Sequence, residues 1–261
     1  MLPLKAEKII NNYFNLPFKN VDGVCAPYFI AKKTNQRAQL RALCGKGTPL
    51  EIVEEAKIIS IQYGDNLFNC HGACCAQTKD SADLIRKYLI DHNIGVDCSG
   101  FAGHVLREHF IEQAGLDIFK KMCIAKHKNI FRRIIARLRP AENIGVKTFA
   151  DDKNSVPIKK IKNIKPADII IMLETGPNKK RDHILIITGF DGKIIEYVHS
   201  RAWSSDGKYG HGVSRGIIKI IDANQNLVNQ KWIEKEKVNQ ENETFLLARE
   251  ANILEIRRLN I

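Results

Sequence analysis

The sequence VDCSGF at residues 96–101 places one cysteine, Cys98, between turn-forming residues and an apolar helical run, Ala102 to Phe110. A thiol in the first turn of a helix lies beside backbone N–H groups that have no acceptor within the helix. The positive end of the helix dipole adds to their effect, so the thiolate form is favoured. The position suits a nucleophile, although a lone cysteine at a turn is more commonly a small buried residue.

Composition limits the classes of protein and partner. With 261 residues the chain can form one large core or two small ones. Its 41 Lys and Arg outnumber its 29 Asp and Glu, which gives a net charge of +12. This charge favours an anionic partner such as nucleic acid, acidic lipid or a bacterial wall polymer. No apolar run reaches the roughly 20 residues that a membrane helix requires.

The N-terminus and the cysteines bear on the cellular compartment. Residues 1–8 include an early acid and no continuous apolar core, so they do not resemble a secretion signal. We expect either a cytoplasmic protein or one whose leader has been removed. The seven cysteines are odd in number and irregularly spaced, which predicts reduced thiols and weakly favours a reducing compartment.

The first 80 residues predict helices, and a glycine marks the end of the first. Thr34–Leu43 mixes apolar and basic residues and stops at Gly45, as a helix does. Thr48-Pro49-Leu50-Glu51 then combines an N-cap threonine, a first-turn proline and a capping-box glutamate. It predicts the start of a second helix. The intervening Gly45-Lys46-Gly47 lacks the upstream glycine of a phosphate-binding loop and is interpreted as a break between helices.

A loop before the predicted helix Ser81–His92 contains three thiols and an imidazole within six residues: Cys70, His71, Cys74 and Cys75. These are ligand types that zinc accepts. No second ligand pair with the usual spacing occurs elsewhere in the sequence. We predict neither a metal nor another cofactor, and metal binding by these four residues stays open as the alternative.

A basic segment follows the Cys98 helix. Phe119 to Arg139 contains eight Lys or Arg and no acid, with apolar residues at helical spacing. A solvated basic face over a packed apolar face explains this pattern. The alternative is a docking surface for an anionic polymer or a membrane.

Strand patterns begin after Lys165. Ile169–Leu173 is continuously apolar, as expected of a strand covered on both faces. Val213–Ile221 predicts a further strand and Thr244–Ala248 another. Helices therefore precede a mostly antiparallel sheet, which is the order of an α+β fold.

Two histidines lie at the ends of a predicted hairpin. His183–Thr188 and Lys193–His199 flank the turn Gly189–Gly192, so we expect His183 and His199 on the same side of the sheet. Cysteine catalysis needs a thiolate, a base within hydrogen-bond distance and a group that orients the base. With Cys98 as the thiol, His183 suits the base and His199 the orienting group. Each histidine taken alone is more commonly structural.

Four ordered motifs resemble those of the NlpC/P60 family of papain-like cysteine peptidases: Asp97–Phe101, Pro166–Ile170, Asp182–Gly189 and Tyr197–Ser200. Most members of that family cut peptide stems or cross-bridges of bacterial cell walls. The resemblance covers roughly residues 81–221. It implies a papain-like α+β fold, with the nucleophile at the N-terminus of a helix that packs on an antiparallel sheet.

The resemblance also implies site residues. The nucleophile, the general base and the orienting residue would be Cys98, His183 and His199, respectively. The N–H of Cys98 or Ser99 would stabilise the oxyanion. Asp97 would support the turn, and Tyr88 is the nearby candidate for the tyrosine that lines the oxyanion site in many members.

The chain departs from the family pattern in three respects. Ala167 stands where the family usually has glycine, and no leader is visible. The connection from Cys98 to His183 is longer than the core fold requires, which indicates a basic helical insertion around residues 116–165. We therefore predict a helical N-terminal region of unknown role at 1–80 and a catalytic domain at 81–261.

Three functions follow from these observations. The leading hypothesis is a cysteine hydrolase that cleaves an amide bond in peptidoglycan stem peptides, which places it at the cell wall or outside the cell by resemblance. The second is an intracellular papain-like thiol acyltransferase, deamidase or processing peptidase, which the missing secretion signal favours. The third is a non-catalytic basic binding module. The expected partner is a peptide or peptidoglycan substrate, and we do not expect nucleic acid.

Overall fold

The computed structural model describes residues 1–30, 41–65, 67–69, 71–75, 80–124, 134–136 and 138–261. Within these residues, most helices precede residue 151 and the strands follow it, which confirms the predicted α+β class. The α-helices are α1 (Leu4–Phe14), α2 (Pro49–Tyr63), α3 (Ser81–Asp91), α4 (Cys98–Ala114), α5 (Ile118–Lys121), α6 (Pro140–Asn143), α7 (Val146–Ala150), α8 (Gly207–Gly210) and α9 (Glu243–Glu250). The strands are β1 (Ser155–Pro157), β2 (Ile169–Thr175), β3 (Arg181–Phe190), β4 (Ile194–Arg201), β5 (Gly212–Lys219), β6 (Lys231–Glu234), β7 (Lys237–Val238) and β8 (Ile253–Leu259).

The chain divides into two compact units, which are described separately. We call Glu7–Phe101 with Ser200–Val213 the helical unit. The sheet unit comprises Met1–Ala6, Ala102–His199 and Ser214–Ile261. The boundary near residue 80, between an N-terminal region and a catalytic domain, stays a prediction.

Local sequence signals account for the helices of the helical unit. The Thr48 side chain accepts the N–H of Glu51 at 3.2 Å, and the Glu51 carboxylate accepts the N–H of Thr48 at 2.8 Å. This is the predicted capping box, and α2 begins at Pro49. The predicted helix from Ser81 is confirmed as α3. Most of the predicted helix Thr34–Leu43 lies outside the described residues, and its end forms a short 3₁₀ turn, Arg41–Cys44.

Arg86 fastens residues 200–213 to the rest of the helical unit. Its guanidinium donates to the carbonyl oxygens of Cys25, Tyr209 and His211. The guanidinium has five N–H donors on one planar group, so a single arginine side chain can bind several backbone carbonyls at once. The hydroxyl of Ser200 adds a bond to the Val96 carbonyl at 2.7 Å. These contacts explain why a segment so late in the sequence belongs to this unit.

The strands form one sheet in the order β1-β8-β2-β3-β4-β5-β6-β7. The predicted strand at Ile169–Leu173 is confirmed as β2, which pairs antiparallel with β3 and β8. The predicted hairpin is confirmed as β3 and β4, with Ile186 opposite Val198. Helices α7 and α9 both pack against β2.

The sheet is buried on both faces where the predicted apolar run lies. Ile169, Ile170, Ile171 and Met172 are all 0% exposed, as a doubly covered strand requires. One face packs into a core beneath α9 that includes Ile170, Met172, Leu185, Ile187, Tyr197, Trp232, Phe245 and Ile256. Among the described residues, no helix combines the length and the apolar character needed to cross a membrane.

The predicted strand Thr244–Ala248 is wrong, because this segment lies in helix α9. The Asn242 side chain accepts the N–H groups of Thr244 and Phe245 and so caps the helix. Thr244, Phe245 and Ala248 are buried, a spacing that fits one face of a helix. A short apolar run does not distinguish a strand from a helix without its cap.

The basic segment Phe119–Arg139 is described only in part, since residues 125–133 and 137 fall outside the described residues. Its beginning belongs to the four-residue helix α5, in which Ile118 is buried. Ile134, Ile135 and Leu138 are 51%, 52% and 76% exposed. The expectation of a packed apolar stripe is therefore wrong for these three side chains. A docking role for the segment stays a prediction.

We predict that Ala167→Gly stabilises the protein. Ala167 has a φ of +70°, a left-handed conformation in which a Cβ is strained. Glycine relieves about 1–2 kcal/mol of this strain. Two effects oppose the gain: a buried methyl group is lost, and the unfolded chain has more conformational entropy. We expect a net gain of roughly 0.5–1 kcal/mol in the free energy of unfolding, measured by urea denaturation.

Ala102→Gly is the matched control, because Ala102 lies inside α4 and is fully buried. There glycine costs backbone entropy without relieving strain, so the control should lose about 1 kcal/mol. If both variants are destabilised alike, the backbone at Ala167 is not strained.

Candidate active site

Cys98 is the first residue of α4 and is 5% exposed. The first helical hydrogen bond runs from the Phe101 N–H to the Asp97 carbonyl at 3.0 Å. The Gly100 N–H donates to Asp97 Oδ1 at 2.6 Å, so the Asp97 side chain caps the helix. The N–H groups of Cys98 and Ser99 precede the first helical bond and lie at the positive end of the helix dipole. The prediction that a helix begins at this cysteine is confirmed.

A buried cluster surrounds the cap. Asp97 Oδ1 accepts from the Lys46 ammonium at 2.9 Å and from the Ser99 hydroxyl at 2.9 Å, besides the N–H of Gly100. Lys46 also donates to Ser99 Oγ. The Lys46 and Asp97 side chains are only 8% and 7% exposed. The residue on either side of the thiol is thus fixed by hydrogen bonds. Sequence reasoning assigned no role to Lys46.

The two predicted histidines are in direct contact. His183 Nε2 lies 2.7 Å from His199 Nδ1, and His199 Nε2 lies 3.1 Å from Glu234 Oε2. The expectation that the hairpin places both rings on one side of the sheet is confirmed. His183 is 6% exposed and His199 is 0% exposed. We call His183, His199 and Glu234 the histidine relay.

The Glu234 carboxylate determines which ring nitrogens donate and which accept in the hydrogen bonds of the relay. An ionised carboxylate only accepts hydrogen bonds, so His199 donates to Glu234 from Nε2. In the neutral form of His199 with this tautomer, the lone pair lies on Nδ1, which accepts from His183 Nε2. The remaining ring nitrogen of His183, Nδ1, is therefore the basic one. An imidazole held in this tautomer can accept a proton at Nδ1 and share the resulting charge with a buried carboxylate.

Glu234 was missed by sequence reasoning. It is 1% exposed and, besides His199, accepts from the Tyr197 hydroxyl at 2.9 Å and the Thr244 hydroxyl at 3.0 Å. Strand β6 places Glu234 on the same face as Trp232, two residues earlier. The sequence offers no clear signal here, because the two apolar residues of this short strand are adjacent and a glutamate is usually exposed.

Tyr88 lies on α3, where its ring packs 4.2 Å from that of His92. Burial, together with the nearby Asp65 carboxylate, holds the pKa of the Tyr88 hydroxyl above its ordinary value. Tyr88 therefore stays neutral at physiological pH and can act only as a neutral hydrogen-bonding group. Its role at an oxyanion site stays a prediction.

The cysteine-rich loop is described in part, since Cys70 lies outside the described residues. Cys74 is buried, whereas Cys75 and His71 are exposed. In the described part of the chain, no group of three or more His, Cys, Asp or Glu is arranged to hold a metal ion. None of the six cysteines described there is joined to another of them by a disulfide. Metal binding that involves Cys70 stays open.

The described residues thus contain two groups of candidate site residues, one in each unit. Cys98 with Asp97, Ser99 and Lys46 belongs to the helical unit, and the histidine relay belongs to the sheet unit. Comparisons with protein-family models, with curated proteins and with solved structures found no match. The chemistry of these side chains therefore carries the functional conclusion.

We predict the tautomers of the relay. In long-range ¹H–¹⁵N spectra at neutral pH, His199 and His183 should both carry their ring proton on Nε2. The reason is that the Glu234 carboxylate accepts a hydrogen bond from the Nε2–H of His199. His71 is exposed and, with a metal chelator present, serves as a control that should show a mixture of both tautomers. Protonation of neutral His199 at Nδ1 would reverse the relay and contradict the assignment of His183 Nδ1 as the base.

Proposed function

We propose that the protein is a cysteine hydrolase of the NlpC/P60 type, with a papain-like fold, which cleaves amide bonds through an acyl-enzyme. The observation that supports this most strongly is the buried relay from Glu234 through His199 to His183. Cysteine catalysis needs a base whose ring is oriented by a second group, and the relay supplies such a group. The capped helix that begins at Cys98 supplies the second requirement, a thiol in a positive field.

The proposed reaction follows the order of a nucleophilic acyl transfer. His183 Nδ1 takes the proton of the Cys98 thiol, and Sγ attacks the carbonyl carbon of the amide. The tetrahedral intermediate collapses as the C–N bond breaks, and the imidazolium of His183 gives its proton to the leaving amine. Water, deprotonated by His183, then attacks the thioester and releases the acid together with the Cys98 thiol.

The proposed oxyanion site uses the start of α4. The N–H groups of Cys98 and Ser99 precede the first helical hydrogen bond, so they are placed to bind developing negative charge. The Ser99 hydroxyl is held by Asp97 and Lys46, and the role proposed for Ser99 is therefore that of its backbone. Tyr88 is the proposed side-chain contributor.

Peptidoglycan stem peptide is the proposed substrate, and the cell wall or the outside of the cell is the proposed location. The net charge of +12 supports attraction to an anionic wall polymer. The net charge is weaker evidence than the two groups of candidate site residues, so the substrate is tested separately from the chemistry.

We predict that Cys98→Ala and His183→Ala each abolish cleavage. Purified protein is incubated with soluble muropeptides, and new amines are followed by chromatography with mass spectrometry. Loss of either the nucleophile or the base should lower kcat by at least about a thousandfold, as for other catalytic triads. Cys123→Ala is the matched control, because Cys123 is an exposed free thiol and should leave kcat unchanged.

Cleavage that survives in Cys98→Ala would contradict the proposed chemistry. Absence of any Cys98-dependent cleavage of muropeptides would contradict the proposed substrate. Cys98-dependent acyl transfer to or from a protein or lipid would instead identify the intracellular acyltransferase or processing peptidase.

A further inference from the structure

Lys46 is a buried cation that the catalytic scheme does not use. Its side chain is 8% exposed, yet its ammonium donates to Asp97 Oδ1 at 2.9 Å and to Ser99 Oγ. Lysine is rarely buried, because removing the ammonium from water is costly unless it is paired. Both partners flank Cys98 in the sequence. This placement calls for a reason beyond packing.

The backbone brings Lys46 to the helix start by direct contact. Asp97 N–H donates to the Gly45 carbonyl at 2.8 Å, and Lys46 forms a β-bridge with Val96. A Cβ on Gly100 would lie 2.4 Å from the Gly45 carbonyl oxygen, so only glycine fits there. Gly45 itself has a φ of +72°, which favours glycine. The loop of Gly45-Lys46-Gly47 is therefore built against the first turn of α4.

Electrostatics gives the pairing a consequence for the thiol. The Asp97 carboxylate caps the helix from the residue before Cys98, and a negative charge at that position disfavours a thiolate. It opposes the helix dipole and the N–H groups that favour the thiolate. A cation bound to the same carboxylate offsets the opposing charge. Asp97 can therefore cap the helix while the positive field at Cys98 is preserved by the Lys46 ammonium.

We propose that Lys46 is a positioning residue that neutralises the Asp97 cap and thereby keeps Cys98 reactive as a thiolate near neutral pH. This inference deepens the proposed function and rests on Cys98 as its nucleophile. Lys46 itself takes no part in bond making. Its effect passes through Asp97, so the two residues must be coupled.

The other titratable groups of this region do not replace Lys46. Tyr13 donates its hydroxyl to the Gly47 carbonyl at 2.8 Å. Burial, with the charges of Glu51 and Asp97, holds the Tyr13 pKa well above its ordinary value, so Tyr13 is neutral. Glu51 is paired with Arg41 at 3.2 Å.

A double-mutant cycle tests this coupling without any peptide substrate. The rate at which iodoacetamide alkylates Cys98 is measured from pH 5 to pH 9 by mass spectrometry, in the wild type, Lys46→Met, Asp97→Asn and the double variant. Asparagine still caps the helix through its carbonyl oxygen. Lys57→Met is the matched control, because Lys57 pairs with Glu54 near the surface of the same unit.

Lys46→Met should move the midpoint of alkylation to higher pH and slow the reaction about tenfold at pH 6, the effect of roughly one unit in thiol pKa. Asp97→Asn should move the midpoint to lower pH. The double variant should return within about threefold of the wild type, because both charges are removed. The control should match the wild type.

A double variant as slow as Lys46→Met, or an unchanged midpoint in Asp97→Asn, would overturn the proposal. Lys46→Met leaves a buried carboxylate without its cation and can fail to fold. The comparison of Asp97→Asn with the double variant then decides, since adding Lys46→Met to Asp97→Asn should raise the midpoint. Alkylation needs no hydrolysis, so these outcomes are independent of whether muropeptides are cleaved.

Discussion

The carboxylate of Glu234 fixes the order of the histidine relay. It is buried in the sheet unit and accepts hydrogen bonds from His199, Tyr197 and Thr244. Removing a carboxylate from water is costly, and three well-placed donors offset that cost. Because an ionised carboxylate can only accept, the position of one proton on His199 determines the position of the next on His183. The basic nitrogen of His183 is thus set by a residue on another strand.

The sheet explains how this geometry is maintained. β3 and β4 pair directly, which brings His183 and His199 together with no long loop between them. Glu234 comes from β6 at the far side of β5. Thr244, at the capped start of α9, completes its environment. Each relay member therefore sits on a regular element, and regular elements hold side chains more rigidly than loops do.

Much of this fold was predictable because its signals are local. The capping box at Thr48, the helix at Cys98 and the hairpin between His183 and His199 each depend on residues close in sequence. Glu234 and Lys46 were missed for the opposite reason. Glu234 lies 35 positions from His199, and Lys46 lies 51 positions from Asp97. No periodicity in the sequence links residues at such separations, so only tertiary structure reveals their pairing.

The central claim is that Cys98 forms an acyl-enzyme. Acid-quenched reactions with muropeptides can be digested with trypsin and analysed by mass spectrometry. The tryptic peptide Tyr88–Arg107 contains Cys98 as its one cysteine. We predict a thioester on this peptide, with the mass of the acyl half of the substrate, that disappears in Cys98→Ala. Product formation with no adduct on this peptide, or an adduct on another cysteine, would contradict the account.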